Sequence, residues 1–241
     1  MAHADIGANP KRRDSKNMPR GQGKTKNGPS SKKDPRNIEP DEGPQRNSYN
    51  AEMVAGALLE RESRVIARLL LDEVDDKTWN DRLIRENILQ KRTQKTIQRQ
   101  AGLIRKRLEP LGKDGWKLVD RGSSEIVRHL LLAACIKHNR LIGDFLQKVV
   151  QEHTRLFEKK LSPRAWATFL EEVGHRVPVV STWSDSTKEK LGQVTHKILV
   201  EAGILDGTRT KKILPFFLPP EVASYLRKHE ESYILKCLEL S

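Results

Sequence analysis

The sequence predicts a mainly α fold, a helical bundle carrying winged helix-turn-helix-like elements and short β hairpins. Three observations lead there. Apolar residues recur at helical spacing from Tyr49 almost to the C-terminus. Ser and Thr residues that can cap helices stand just ahead of several of those stretches. The few strand-like stretches are short, and one surrounds an Asp-Gly turn.

Before Tyr49 the chain reads differently. Residues 1–48 carry eleven Lys and Arg against six Asp and Glu, many Gly, Pro, Ser and Asn, and almost no large apolar side chain. Such a segment cannot offset its ordering entropy by burial, so a disordered basic tail is expected. Within it, Gly23-Lys24-Thr25 resembles the end of a phosphate-binding loop. That motif needs a further glycine where Met18 stands, with a strand before and a helix after, so nucleotide binding is rejected.

Residues 49–122 read as an N-terminal helical, helix-turn-helix-like region. Val54, Leu58, Val65 and Leu69 mark a helix through Leu71, followed by a break over Asp72–Lys77. Thr78 then reads as an N-cap ahead of Trp79, Leu83, Ile84 and Ile88. Thr93 is placed to cap a helix over about 94–108. Gly112 and Gly115 loosen the chain, and Trp116–Val119 reads as a short strand.

A central helical region is expected over 123–183. Ser123 or Ser124 starts a helix through Leu130 and Ala134. A second helix carries Leu141, Phe145, Val149 and Phe157, and Ser162-Pro163 opens a third with Trp166, Phe169 and Leu170. Arg176–Trp183 reads as extended. The remainder, 184–241, reads as a C-terminal winged-helix-like region. Ser184 or Ser186 starts a helix to about Ala202, and Gly203 takes the left-handed cap position. A hairpin over 204–217 turns at Asp206-Gly207, and Pro219-Pro220-Glu221 opens a last helix to about Leu238.

Charge points to the partner. The formal net charge is +13 and the sequence pI about 9.8, which favours polyanions. Outside the tail the surplus falls in one window, 82–117, with eleven Lys and Arg against Glu86, Glu109 and Asp114. On the helix at 94–108, Ile97, Ala101, Ile104 and Leu108 form one stripe. At about 3.6 residues per turn, Lys95, Arg99 and Lys106 point the other way, with Arg92 just ahead. A helix apolar on one side and cationic on the other suits the major groove, with Thr93, Thr96 and Gln98 able to add hydrogen bonds. A second candidate lies at 184–218. There Gln193, His196 and Lys197 are expected to face away from the apolar stripe, and Arg209, Lys211 and Lys212 sit in the wing. Aromatic residues are few and lie mostly in apolar stripes, which favours duplex over single-strand recognition.

Other function classes receive no support from the sequence. The seven histidines are scattered, and neither Cys135 nor Cys237 has metal-ligand spacing, so no metal, cofactor or catalytic site is expected. The longest apolar run, Leu130–Ile136, is too short to span a bilayer, and no secretory signal pattern is seen, so a cytoplasmic protein is expected.

Several motifs in order carry a resemblance. They are Tyr49-Asn50-Ala51, Glu86-Asn87-Ile88-Leu89-Gln90 followed by Arg92-Thr93, the helix pair Leu130–Val150 with Asp144-Phe145, then Trp166, Trp183, and Leu199 to Leu205 through Glu201-Ala202-Gly203. From Tyr49 onward the chain resembles the BrxA family of BREX phage-defence systems; the tail is not part of that pattern. The resemblance implies a small helical, non-enzymatic protein that binds double-stranded DNA beside other BREX system proteins; low sequence specificity is expected because Lys and Arg neutralise phosphates without base readout. A protein-interaction adaptor, an RNA-binding protein and a transcriptional regulator are the alternatives.

Overall fold

The computed structural model describes residues 49–240. Among them the chain is mainly helical and contains no strand. Two isolated antiparallel bridges, Leu205 to Ile213 and Lys160 to Lys212, mark its extended pairing. The expected tail and the phosphate-loop look-alike lie outside the described residues.

The chain enters through a 3-10 turn, Glu52–Ala55, and only then forms α1, Glu60–Leu71. The helix expected from Tyr49 is therefore interrupted. The interruption has a partner: the buried Arg107 guanidinium donates to Ala57 O at 2.5 Å and Gly56 O at 3.1 Å, using carbonyls that a continuous helix would have consumed. Next comes α2, Asp76–Asn80, continued by a π-helical turn, Asp81–Arg85. Its cap is Asp75, which accepts from Thr78 N at 2.7 Å, rather than Thr78 itself. Thr93 does cap α3, Gln94–Leu108, accepting from Thr96 N.

The strand-like reading of Trp116–Val119 is overturned, because these residues lie inside α4, Gly112–Arg121. The two glycines that suggested a loop serve other ends. Gly112 takes a positive φ of 63° at the turn into the helix. Gly115 lies beneath Tyr225, where a Cβ would stand 3.0 Å from the hydroxyl oxygen. α1 packs along α4, fastened by Arg64 to the carbonyls of Val119 and Asp120 and by Arg68 to the Asp120 carboxylate at 2.6 Å.

Ser123 caps α5, Ser124–His138, as expected. Its residues from Leu130 to Ile136 are all buried, and helices α1, α3 and α4 pack around it. A helix apolar on every side belongs at the centre of a bundle. The following helix runs through α6, Arg140–Phe145, a π-helical turn at Leu146–Val150, and α7, Gln151–Arg155. Phe157, expected in its apolar stripe, stands beyond its end and is exposed. Then come α8, Ala165–Gly174, and a short α9, Pro178–Ser181, where an extended stretch was expected. Proline at the first helical position and the buried Val180 account for that turn.

Ser184 caps α10, Asp185–Glu201, and Gly203 follows at φ 77°. The expected hairpin at 204–217 is a loop held by single bridges. The last helix is broken into α11, Pro220–Lys228, and α12, Ser232–Leu238, by Glu230 at φ 56°.

Distant segments meet at Asp144, which is buried. It accepts from the hydroxyls of Tyr49 and, at 2.7 Å, Tyr233, and Arg140 Nε stands 3.6 Å away. Removing the carboxylate takes from two half-buried hydroxyls and a guanidinium the acceptor they share. Asp144→Ala is expected to cost about 3 kcal/mol and Asp144→Asn distinctly less, read from urea midpoints by circular dichroism.

Candidate nucleic-acid interface

The first candidate face is built on α3. Ile97, Ala101, Ile104 and Leu108 are buried, so the apolar stripe read from the sequence is the one the fold uses. Arg92, Lys95, Gln98 and Arg99 are exposed on the other side. Thr93 and Thr96 share a hydrogen bond of 2.9 Å between their hydroxyls at the first turn.

The surrounding charge is much less free than the composition implies. Arg82 pairs with Glu86, Arg85 with Asp81, Lys91 with Glu62, Arg105 with Glu109 and Lys113 with Glu73. Arg105 also lies over the Trp79 ring, 4.7 Å from its centre. Lys106, expected on the cationic face, holds both oxygens of Glu52 at 2.8 and 2.9 Å. That ammonium keeps the Glu52 carboxyl below the usual range, principally through the hydrogen bond. Of the window's cations, Arg92, Lys95, Arg99 and Lys117 are without a carboxylate partner among the described residues, as is the buried Arg107, whose guanidinium is taken up by the Ala57 and Gly56 carbonyls.

The second candidate face, on α10, needs a larger correction. Gln193 and Lys197 are exposed, with Lys197 3.7 Å from Glu201. His196 is buried instead. Its Nδ1 donates to Gly192 O at 2.7 Å, and its ring lies edge-on to Phe145 and Trp166. Burial pulls its pKa down to about 4. The 3.6-residue repeat puts 196 between the stripes, and packing from α8 decides its side.

Arg209, Lys211 and Lys212 lie in the loop after α10, where Asp206 accepts from the Thr210 hydroxyl at 2.6 Å and Lys212 N at 2.9 Å. The structure joins to them two residues missed in the sequence, Lys159 and Lys160. Leu161 N donates to Lys211 O and Ile213 N to Lys159 O, both at 3.0 Å, so Lys160 and Lys212 stand directly opposite each other. The Lys-Lys pair is visible in the sequence, but its partner is fifty residues away along the chain, beyond any periodicity.

A cleft of about 590 Å³ separates the two candidate faces; Gln100 of α3 and Lys197 of α10 both line it. Its wall also contains Glu60, Glu62 and Glu201, so the cations of α3 and α10 do not merge into one track. Among the described residues, no group of three His, Cys, Asp or Glu is placed to hold a metal ion. Both cysteines are free and buried, and none of the described helices is long and apolar enough to cross a membrane.

The family model for BrxA matches residues 47–230, which takes in both candidate faces. The chain belongs to the BrxA family. A BREX protein BrxA from Paramagnetospirillum magneticum is 38% identical over 193 residues, covering 80% of this chain and 97% of that relative. One from Escherichia coli O9:H4 is 36% identical over 192 residues, covering 80% of this chain and 90% of the relative. The fold is similar to the crystal structure of an uncharacterized protein from Magnetospirillum magneticum, with a TM-score of 0.75 and 38% identity over 80% of this chain and 100% of that one. The BrxA match thus includes Arg92, Lys95 and Arg99 as well as Lys159, Lys160 and the loop after α10.

Two outcomes follow for the folded protein. Lys106→Glu sets two carboxylates against each other and is expected to cost about 0.5–1 kcal/mol, whereas Lys95→Glu changes stability by less than about 0.5 kcal/mol, both by urea titration. The folded state of His196 binds its proton only near pH 4, below the ordinary 6.5 of the unfolded chain. Stability is therefore full above about pH 6.5 and declines as pH falls from there through 4. His196→Leu should flatten that part of a stability-against-pH curve.

Proposed function

We propose that this protein is a double-stranded DNA-binding component of a BREX phage-defence system, acting by binding rather than by catalysis. Its family membership supports the system; the relatives carry the name BREX protein BrxA. The single observation that supports DNA is the trio Arg92, Lys95 and Arg99. These cations stay exposed and without carboxylate partners among the described residues, while their neighbours are neutralised. Lys95 and Arg99 lie on the first two turns of a fifteen-residue helix that has no acidic residue in its first turn, and Arg92 stands just ahead of its cap. The amide end of a helix attracts anions, and guanidinium and ammonium groups beside it neutralise phosphates. Each neutralised phosphate releases counterions, which gives affinity for duplex of any sequence. Gln98 and the Thr93 and Thr96 hydroxyls can hydrogen-bond to the backbone or base edges. In this reading the site of action is the cytoplasm, alongside other BREX proteins.

An adaptor role has one observation in its favour. A cleft of about 470 Å³ between α8 and α10 is walled by Trp166, Leu170 and Val180 and rimmed by Glu171, Asp185 and Glu189. That cleft suits a protein partner better than a nucleic acid.

The deciding measurement is fluorescence anisotropy with a random-sequence duplex over a range of salt. The affinity should fall with a log–log slope of about −0.9 per phosphate neutralised. Arg92→Glu, Lys95→Glu and Arg99→Glu together should keep the helical circular-dichroism spectrum, weaken binding by more than about a hundredfold and flatten the slope by about two to three. Unchanged binding by that folded variant would leave the adaptor reading in its place.

A further inference from the structure

At the end of α7 the chain does something costly. Glu158 N donates to His153 O at 2.8 Å and Phe157 N to Thr154 O at 3.0 Å, a pairing that closes a helix through a left-handed residue. The residue in that position is Phe157, at φ 57°. Glycine is the usual occupant, because a Cβ is disfavoured there. Phe157 gains no burial in return, since it is 91% exposed, and its neighbour Leu156 is 60% exposed. Two residues further on begins the antiparallel contact that sets Lys160 against Lys212.

That contact is also unfavourable for an isolated protein. Two like charges directly across an antiparallel pair repel, and their side chains stand on the same face. Lys159, Lys211 and Arg209 flank the pair, and Arg155 is exposed just before Leu156. None of these six cations has a carboxylate partner among the described residues. Of the carboxylates near them, Glu158 is turned to His153 Nε2 at 3.2 Å, and Asp206 is engaged by the Thr210 hydroxyl and Lys212 N and only partly offsets the Lys212 charge. A polyanion would relieve the lysine repulsion, and a ligand with stacked flat faces would cover the phenyl ring. A nucleic acid has both properties.

We infer that Phe157 is a wedge that enters between neighbouring base pairs of bound duplex DNA and bends it, with Lys160 and Lys212 holding the phosphates on either side. Apolar side chains used this way unstack a base step, and the bend brings more of the duplex onto the protein. Single-strand binding fits less well, because it relies on successive aromatic platforms, and the exposed aromatics among the described residues are Phe157 and, on the segment after Ile213, Phe217. The inference rests on the duplex-binding reading above and adds a second contact, distinct from α3.

The test uses the full chain with a random-sequence duplex carrying a fluorescent donor and acceptor at its ends. Binding of the parent should shorten the end-to-end distance. Phe157→Ala should bind about tenfold more weakly and leave the duplex straight, with the salt slope unchanged. Lys160→Ala with Lys212→Ala should flatten the slope by about two. Phe157→Gly separates function from folding: it should raise the melting temperature by about 2–4 °C, because glycine suits the left-handed position, and still lose the bend. A residue kept for structural reasons would not show a gain in stability with a loss of bending. If the parent binds no duplex, the function proposed above fails and the wedge with it. If the parent binds but does not bend, or Phe157→Ala bends DNA like the parent, the wedge fails and the α3 reading stands. If Phe157→Ala loses affinity only for single-stranded DNA, the ring is a stacking platform and the wedge is overturned.

Discussion

A carboxylate buried in a helical bundle must be paid for with polar partners, and Asp144 has three, two hydroxyl donors and an ion pair. Tyr49 comes from the start of the described chain, Arg140 from the preceding turn of the same helix, and Tyr233 from α12. Arg140 also covers the Tyr233 ring at 4.4 Å. Burial, reinforced by the carboxylate, pushes both tyrosine hydroxyls well above their ordinary pKa, so they remain donors at any pH the protein meets. The consequence runs outward. With Tyr49 fixed, Asn50 and Asn139 bind each other's neighbourhood, Asn139 Nδ2 to Asn50 O at 2.8 Å and Asn50 Nδ2 to His138 O at 3.3 Å. That sets the Glu52–Ala55 turn between α3 and α10, and Glu52 reaches Lys106 from there. The orientation of α3 therefore depends on a polar cluster formed by other helices.

The same dependence changes how charge should be counted. A window of eleven cations looks like a binding surface in the sequence. In the fold, carboxylates brought by α1, by the π-helical turn and by the Glu52 turn neutralise about half of it. What stays available is set by where the partner carboxylates fall, so Arg92, Lys95 and Arg99 matter more than Lys106. Exposed ion pairs of this kind contribute little to stability, but they determine where a phosphate meets unopposed charge.

Local signals were legible. Thr93, Ser123 and Ser184 cap the helices that follow them because the cap is made within three residues. The Ile97–Leu108 stripe, the left-handed Gly203 and the buried cysteines follow from spacing or residue type alone. The motifs around Tyr49, Asp144 and Leu199–Leu205 were sufficient to recognise the BrxA family. Readings failed where distant partners decide. Trp116–Val119 looks like a strand between glycines, but Trp116 Nε1 donates to Leu108 O at 2.7 Å and the stretch is helical. The helical repeat points His196 outward, but the rings of Phe145 and Trp166, both remote in sequence, bury it. The Lys160–Lys212 contact was invisible for the same reason, and the expected wing proved to be a loop pinned by single bridges.

Tyr225 sends its hydroxyl to Leu111 O at 2.6 Å, and the ring lies where a side chain at 115 would be. Burial raises that hydroxyl to about 12, so it is a dependable donor. The two positions are therefore under joint inheritance. A lineage that acquires a larger residue at 115 must first, or at once, surrender the aromatic ring at 225 and also shift Leu111, whose Cβ would stand 2.5 Å from a Cβ at 115, so a loss of the ring alone does not free 115 to vary. Across diverged relatives the substitutions should appear in that order, and a chimaera that takes α4 from one lineage and α11 from another should fail when their pairings differ.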